Sequence, residues 1–220
     1  GNITSGTVQA TAGSVVVTAT SGDVTVGSIT AGTTVNITAT AGSINDAQND
    51  ALVDITAGAG QLITLSAQDE IAGAGADGRL ELAAGSIVSA NSTTAGNIML
   101  RGLGAITLNP VTTTLGTIDV LAAGLITATS VNAAGAGSNA ILNTSTGGIT
   151  ATSVTAANNV QLSATAGNIT SGTVQATAGS VVVTATNGDV TVGSITAGTT
   201  VNITATAGSI NDAQNDALVD

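Results

Sequence analysis

Carboxylates are the side chains of this sequence best suited to chemistry, and they are densest in one short segment. Asp46, Asp50 and Asp54 recur there every four residues, and Asn45 and Asn49 lie among them. Carboxylate and amide oxygens are hard ligands of the kind that Ca²⁺ prefers. The same residue types collect in polar turns, where they hydrogen-bond to nearby backbone. We predict a polar turn without a metal or cofactor, and the three aspartates are the candidate ligands if Ca²⁺ binds.

A catalytic site is not predicted. The chain has no His, Cys, Lys or Tyr, so acid–base and nucleophilic chemistry is limited to carboxylates and hydroxyls. Asp69 with Glu70, or Asp77 with Glu81 beside Arg79, could supply a carboxylate pair. The chain contains no aromatic residue that would hold a sugar above such a pair. We therefore predict that the protein is not an enzyme.

A second possible metal motif lies at residues 73–81, with the sequence GAGADGRLE. It resembles the glycine- and aspartate-rich repeat of calcium-binding β-rolls, in which tandem copies face each other. Only one copy is present here, so this segment does not change the prediction.

Threonines form short T-x-T runs, Thr18 with Thr20 and Thr38 with Thr40, that could stack into the flat array of an ice-binding solenoid. Four other residues are predicted at the equivalent outward positions further along: Ala83, Arg101, Leu121 and Asn143. These residues would interrupt the array. We interpret the threonines as β-branched strand residues that tolerate water.

The composition limits the class of protein. Thirteen acidic residues against two arginines give a net charge of −11, and nucleic acid binding needs the opposite charge. The hydrophobic share is 43%, and short alternating runs carry it, which disordered chains lack. No apolar stretch reaches the 18 residues of a membrane span. The acidity is expected to keep a long polymer soluble.

The chain repeats itself. Residues 167–220 match residues 1–54 at every position except Ser21, which is Asn187 in the second copy. Such identity at exposed and buried positions alike is typical of a tandem array. We predict that residues 1–166 form one repeat unit and residues 167–220 the start of the next, in a continuous solenoid without a linker. We expect the chain to be an interior stretch of a longer polymer.

A smaller repeat lies inside the unit. Phrases of the form V-x-I-x-A alternate with period two, as strands with one buried face do. In the phrase VVVTA, residues Val15, Val17 and Ala19 are predicted to point inward. The predicted core residues are Val15, Val17, Ile37, Val53, Ile55, Leu80, Leu82, Ile98, Leu100, Ile118, Val120 and Leu162.

A second phrase, G-x-I-T, usually alternates with the first, and its glycines are predicted to give the positive φ that tight corners need. The predicted corner glycines are Gly1, Gly22, Gly42, Gly124 and Gly147. Turns starting at Gly1, Gly22, Gly42, Asp69, Gly85, Leu103, Gly124 and Gly147 give about eight per unit, each roughly 20 residues long. Residues 42–68 hold an extra phrase, ITLSA, which is either a loop or a ninth, shortened turn.

G-x-I-T followed by V-x-[ILV]-x-A at this spacing resembles the repeats of filamentous haemagglutinin and other two-partner-secretion exoproteins. The resemblance implies an all-β protein, a right-handed parallel β-helix, exported by a bacterium to the cell surface or beyond. We expect a structural shaft of an extracellular filament or giant surface adhesin, which associates with itself along or between filaments and contacts surface or matrix partners. The alternative is a solenoid that binds a glycan, a receptor or ice.

Overall fold

The computed structural model describes residues 1–48, 50–73 and 78–214. Within these residues every regular element is a β-strand. The strands are β1 (Ile3–Thr4), β2 (Thr7–Ala10), β3 (Val15–Ala19), β4 (Val24–Val26), β5 (Ser28–Ala31), β6 (Val35–Ala39), β7 (Ile44–Asp46), β8 (Ile55–Thr56), β9 (Leu62–Ala67), β10 (Ile71–Gly73), β11 (Leu80–Leu82), β12 (Ser86–Ser92), β13 (Ile98–Gly102), β14 (Ile106–Thr113), β15 (Ile118–Ala122), β16 (Ile126–Ala128), β17 (Val131–Ala133), β18 (Ala140–Thr144), β19 (Ile149–Ala156), β20 (Val160–Ala166), β21 (Ile169–Ala176), β22 (Val181–Asn187), β23 (Val190–Ala197), β24 (Val201–Ala205) and β25 (Ile210–Asp212).

The strands form two stacked sheets of a parallel β-solenoid with about ten turns, which confirms the predicted fold class. Sheet 1 runs β1-β4-β7-β10-β13-β15-β18-β20-β22-β24, with β2, β5, β8 and β11 beside its first half. Sheet 2 runs β3-β6-β9-β12-β14-β16-β19-β21-β23-β25, with β17 beside β16. Each strand pairs in parallel with its equivalent about 21 residues later. We number the turns by their sheet 1 strands, so that β1 begins turn 1 and β13 begins turn 5.

The core is a set of aliphatic columns between the two sheets. Alternation places Ile98 and Leu100 inward, and both are fully buried under Ile118 and Val120 of the next turn. The predicted core residues are buried except Val17, which is partly buried, and Val53, which lies in a corner outside the core. Because each side chain is small and contributes at about 25 cal/mol per Å², stability depends on stacking many turns.

Glycines at the corners are needed mainly for space. Of the five predicted corner glycines, all of which are described, Gly22 has a positive φ, 102°, whereas Gly42, Gly124 and Gly147 do not. A Cβ on Gly147 would lie 2.3 Å from the backbone nitrogen of Leu125 in the preceding turn. The prediction that these residues supply positive φ is therefore wrong for most of them. They allow the backbones of successive turns to approach closely.

Polar side chains form a corner ladder along the entrance to sheet 1. The residue before each strand offers an oxygen to the next turn, so the Asn97 Oδ1 accepts the Thr117 N–H at 2.9 Å. The Asn159 Oδ1 accepts the Ser180 N–H at the same distance. These residues satisfy backbone donors that a corner leaves outside the sheet. In turns 1 and 2 the same role falls to the variable position of G-x-I-T, since the Asn2 Oδ1 accepts the Asp23 N–H at 3.1 Å and the Asp23 Oδ1 accepts the Ser43 N–H at 2.9 Å. The sequence pattern did not reveal this role.

The two copies of the repeated sequence lie on opposite sheets. Val15 begins β3 in sheet 2, whereas its counterpart Val181 begins β22 in sheet 1. Likewise Ile3 lies in sheet 1 and Ile169 in sheet 2. Following the sheets in order, the chain makes seven full turns and one half turn between β3 and β22. One unit therefore advances roughly 36 Å at about 4.8 Å per turn, and the next unit starts rotated by half a turn.

Turns 3 and 4 produce this half turn. Twenty-seven residues separate Ile44 from its partner Ile71, and Ile71 from its partner Ile98, against twenty between Ile98 and Ile118. The phrases VDITA and LELAA, predicted as equivalents of VVVTA, instead supply β8 and β11, which continue the line of β5. ITLSA supplies β9 of sheet 2, so the extra phrase is a regular strand of turn 3.

Candidate functional site

One corner of sheet 1 departs most from a regular turn. In turn 2 it is the single residue Gly27 between β4 and β5. In turn 3 the corresponding corner, between β7 and β8, occupies residues 47–54, and in turn 4 it occupies residues 74–79. Residues 74–77 lie outside the described part. In turn 5 the corner is absent, because the continuous strand β13 pairs with both β10 and β11.

These enlarged corners bring three acidic residues together. Asp46 ends β7, Asp54 precedes β8, and Glu81 is the middle residue of β11. Their carboxylate oxygens lie within 4.8 Å of one another. Asp46 and Asp54 are each 3% exposed and Glu81 is fully buried. We call these residues the carboxylate cluster. A substrate cannot reach it unless the corners move.

A shared proton accounts for three acids at such short range. The Asp54 Oδ2 accepts the backbone N–H of Glu81 at 2.8 Å. Burial, opposed by the Glu81 N–H and assisted by the nearby charge of Asp46, raises the pKa of the Asp54 carboxyl to about 7. Three ionised carboxylates this close would repel one another strongly. Near neutral pH the protonated and ionised forms of Asp54 are therefore both populated.

The cluster contains two of the three candidate metal ligands. Asp46 and Asp54 come together as the spacing allowed, but Asp50 is not a member, and Glu81 takes the third place. Asp77, predicted to pair with Glu81, lies outside the described residues. The sequence suggested Glu81 only as a possible partner of Asp77 and did not group it with Asp46 and Asp54, because its phrase was assigned to a different position in the turn. The available signal was Glu81 itself, a charged residue between Leu80 and Leu82, which were both predicted to be buried.

The segment between Asp46 and Asp54 contains the polar turns that the sequence predicted. The Asp46 Oδ1 accepts the Gln48 N–H at 2.9 Å, and the Asp50 Oδ1 accepts the Leu52 N–H at 2.7 Å. Both bonds join residues two apart, which is the local pattern that makes Asp common in turns. Asn49 lies outside the described residues.

Two residues of the other candidate pairs, Glu70 and Arg79, have structural partners. Asp69 and Glu70 stand at the corner before β10, and the Glu70 Oε1 accepts a hydrogen bond from the Asn97 Nδ2 at 3.1 Å. Arg79 forms an ion pair with Asp119, two turns further on. These contacts join turns one and two apart, and neither arrangement brings a nucleophile beside a base.

The outward side of sheet 2 carries no ionisable residue on β14, β16, β17, β19, β21 or β23. We call this surface the hydroxyl face. One threonine per turn aligns in register along it: Thr107, Thr127, Thr150, Thr170 and Thr191. Among the described residues none of these five hydroxyls bonds to another protein group, so all five are available to water or a partner.

The residues predicted to interrupt a threonine array lie elsewhere. Arg101, Leu121 and Asn143 share one column of sheet 1, whereas Thr18 and Thr38 belong to sheet 2. Ala83 follows β11 of sheet 1. The predicted equivalence is wrong because it assumed that one phrase keeps one face throughout the unit.

Comparison of the chain with protein-family models, with curated proteins and with solved structures found no match. Within the described residues no helix has the length and apolar character needed to cross a membrane. Function must therefore be argued from the fold, the carboxylate cluster and the outward faces.

Chelation tests the predicted absence of a structural metal. We expect EDTA at pH 7 to leave the melting temperature unchanged. The shared proton and the Glu81 N–H already compensate the negative charge of the cluster, so no metal ion is needed there. Millimolar Ca²⁺ added to the chelated protein is the matched condition. A drop of several degrees with EDTA, restored by Ca²⁺ and absent in Asp54→Asn, would contradict the prediction.

Proposed function

We propose that the chain is part of the shaft of an extracellular bacterial filament or giant surface adhesin. Its function is mechanical: it lengthens the filament and keeps successive repeat units aligned along one axis. The haemagglutinin-like phrases support this proposal through their resemblance to exported exoproteins, and that resemblance also suggests export to the cell surface. The closed carboxylate cluster, with side chains at most 3% exposed, offers no open catalytic site that would favour an enzyme.

The observation that carries the proposal is that the second copy of the sequence stacks directly on the turns before it, so the same residues occur at two places in the stack. Val35 and Ile44 are fully buried in the first copy, where further turns cover them. Their counterparts Val201 and Ile210 are 48% and 54% exposed in the last turn. Stacking one more turn would bury both, at about 25 cal/mol per Å². Among the described residues no strand pairs with the outer edges of β24 and β25, and such an edge can take a further strand.

Stacking is continuous where the two copies meet. β19 pairs with β21 over seven residues, and β20 pairs with β22, on either side of Gly167. A chain of many units would therefore be one uninterrupted rod in which contacts extend only to adjacent turns. Separate chains would join end to end through the same edges.

Imaging tests this proposal directly. We expect the purified chain to form thin, unbranched, stiff filaments at high concentration, with a strong spacing near 4.8 Å along the axis. Ile210→Asp should shorten them, because it places a charge where the next turn must stack, and Ile210 is exposed enough for the single chain to tolerate it. Asn211→Asp, at the adjacent position, is the matched control. Flexible beads, or compact monomers at every concentration, would refute the shaft and favour the ligand-binding alternative.

A further inference from the structure

We propose that the hydroxyl face is a lateral interface for a second copy of the same rod. The inference rests on the proposed shaft function and specifies its partner surface. It begins from charge: a chain of net charge −11 repels its own copies. The hydroxyl face is an uncharged area of five successive turns along which two rods can approach. On sheet 1, Arg101 of β13 and Asp119 of β15 place charges in two of the same five turns, and its strands β18 to β24 are uncharged.

The face is also ordered before a partner arrives. The Thr155 hydroxyl donates to the Asn132 Oδ1 at 2.9 Å, and the Thr129 hydroxyl donates to the Asn109 Oδ1 at 3.1 Å. The amide oxygen of asparagine carries no proton, so the threonine is the donor in each pair. These bonds join adjacent turns and fix side chains that would otherwise lose rotamer freedom on association.

A second copy matches this face by construction. Each free threonine hydroxyl both donates and accepts, so a threonine column can pair with another threonine column. Both columns repeat at the strand spacing of about 4.8 Å, so a contact made in one turn recurs in the next. An isologous pair of identical patches is the commonest way in which soluble proteins form dimers.

The size of the face predicts the strength of association. Strands of about eight residues are roughly 26 Å long, and five turns span roughly 24 Å, so about 600 Å² of each rod meets its partner. The total of about 1,200 Å² is at the lower limit of stable interfaces. We therefore expect a weak, reversible dimer of this chain. Longer rods would bind more tightly, because further turns add contacts without a new association step.

The half turn places a second such face on the other side of the rod. In the first turns the equivalent strands belong to sheet 1, where Thr4 pairs with Thr25 and Thr25 with Asn45. The face therefore changes from sheet 1 to sheet 2 within one unit. A rod with uncharged faces on opposite sides can hold a neighbour on each side, so long rods would form sheets rather than isolated pairs.

Sedimentation and small-angle scattering of the 220-residue chain in 0.15 M salt test the interface. Below the concentration at which filaments form, we expect a concentration-dependent dimer with doubled cross-section and unchanged length. Thr150→Asp combined with Thr170→Asp should weaken it at least roughly tenfold, since like charges would meet in the contact. Ser163→Asp combined with Thr184→Asp, also on adjacent turns but on sheet 1, is the matched control and should change it less than about twofold. Circular dichroism checks that both variants keep their strands.

Each alternative outcome is decisive. Rod-shaped monomers below the concentration at which filaments form, or equal weakening by both double variants, would overturn the interface while leaving the shaft intact. Rods that double in length without thickening would support the shaft and overturn the lateral contact. Thermal hysteresis of a monomeric chain, lost in Thr150→Asp with Thr170→Asp and kept in the control, would assign the face to ice instead. Compact particles without rod-like scattering would refute the shaft itself.

Discussion

Replacing Val120 by aspartate should unfold the turns around it and leave the ends of the rod folded. Val120 is fully buried in β15, between Leu100 of the turn before and Leu142 of the turn after. An unpaired carboxylate there costs several kcal/mol, more than small aliphatic contacts in one turn can offset. Because each turn contacts mainly its neighbours, the damage should fade within a few turns.

Hydrogen exchange read by mass spectrometry measures that pattern. Protection should disappear from β13, β15 and β18 and persist in β21 and β22. Leu121→Asp is the control, since the neighbouring side chain is outward and only half-buried, and we expect its effect to be within about 1 kcal/mol. Loss of protection along the whole chain in Val120→Asp would show a single cooperative core instead of a stack of turns.

Stability should fall as the pH rises from about 4 to about 7, through the carboxylate cluster. Burial raises the pKa of Asp54 to about 7, whereas the unfolded chain has the ordinary value of 3.8. Between these values the folded state holds a proton that the unfolded state has released, so raising the pH favours unfolding. The stabilisation of the folded state by this proton is complete below pH 4 and is lost by about pH 7. It amounts to a few kcal/mol.

Asp54→Asn tests that sign. The neutral amide cannot ionise, so the variant should be more stable than the native protein at pH 8, and the difference should shrink or reverse at pH 4. Thermal melts from pH 4 to pH 8 measure this difference. Asp50→Asn removes a charge from the same corner outside the cluster and should show no such dependence. A difference between native protein and Asp54→Asn that is constant with pH would rule out the shared proton.

The alternation of apolar and polar residues predicted the strands, because every second residue of a strand with one buried side is apolar. Ile98 with Leu100 and Leu80 with Leu82 show the same pattern, and both pairs are buried. The pattern states which side of a strand faces the core, but not which sheet the strand joins. That choice depends on how many residues each corner holds. The half turn therefore escaped prediction, although every phrase that produces it was visible.

The carboxylate cluster was only partly predictable for the same reason. Asp46 and Asp54 lie close in sequence, and their grouping followed from spacing alone. Glu81 joins them because β11 pairs with β8, with Leu82 beside Ile55. That pairing is set by the enlarged corners of turns 3 and 4, which no local pattern specifies. The corner ladder was missed because a single polar letter after glycine carries no periodicity of its own.

Because of the half turn, the structure of a rod depends on whether it contains an odd or an even number of repeat units. In a rod that continues this repeat, adding one unit lengthens it by roughly 36 Å and also points whatever is attached at the far end in the opposite direction. Adding two units lengthens the rod by roughly 72 Å and restores the original direction. Rods with odd and even numbers of units thus differ in the direction in which their tips face. The gain or loss of a single unit changes this direction as well as the length of the rod.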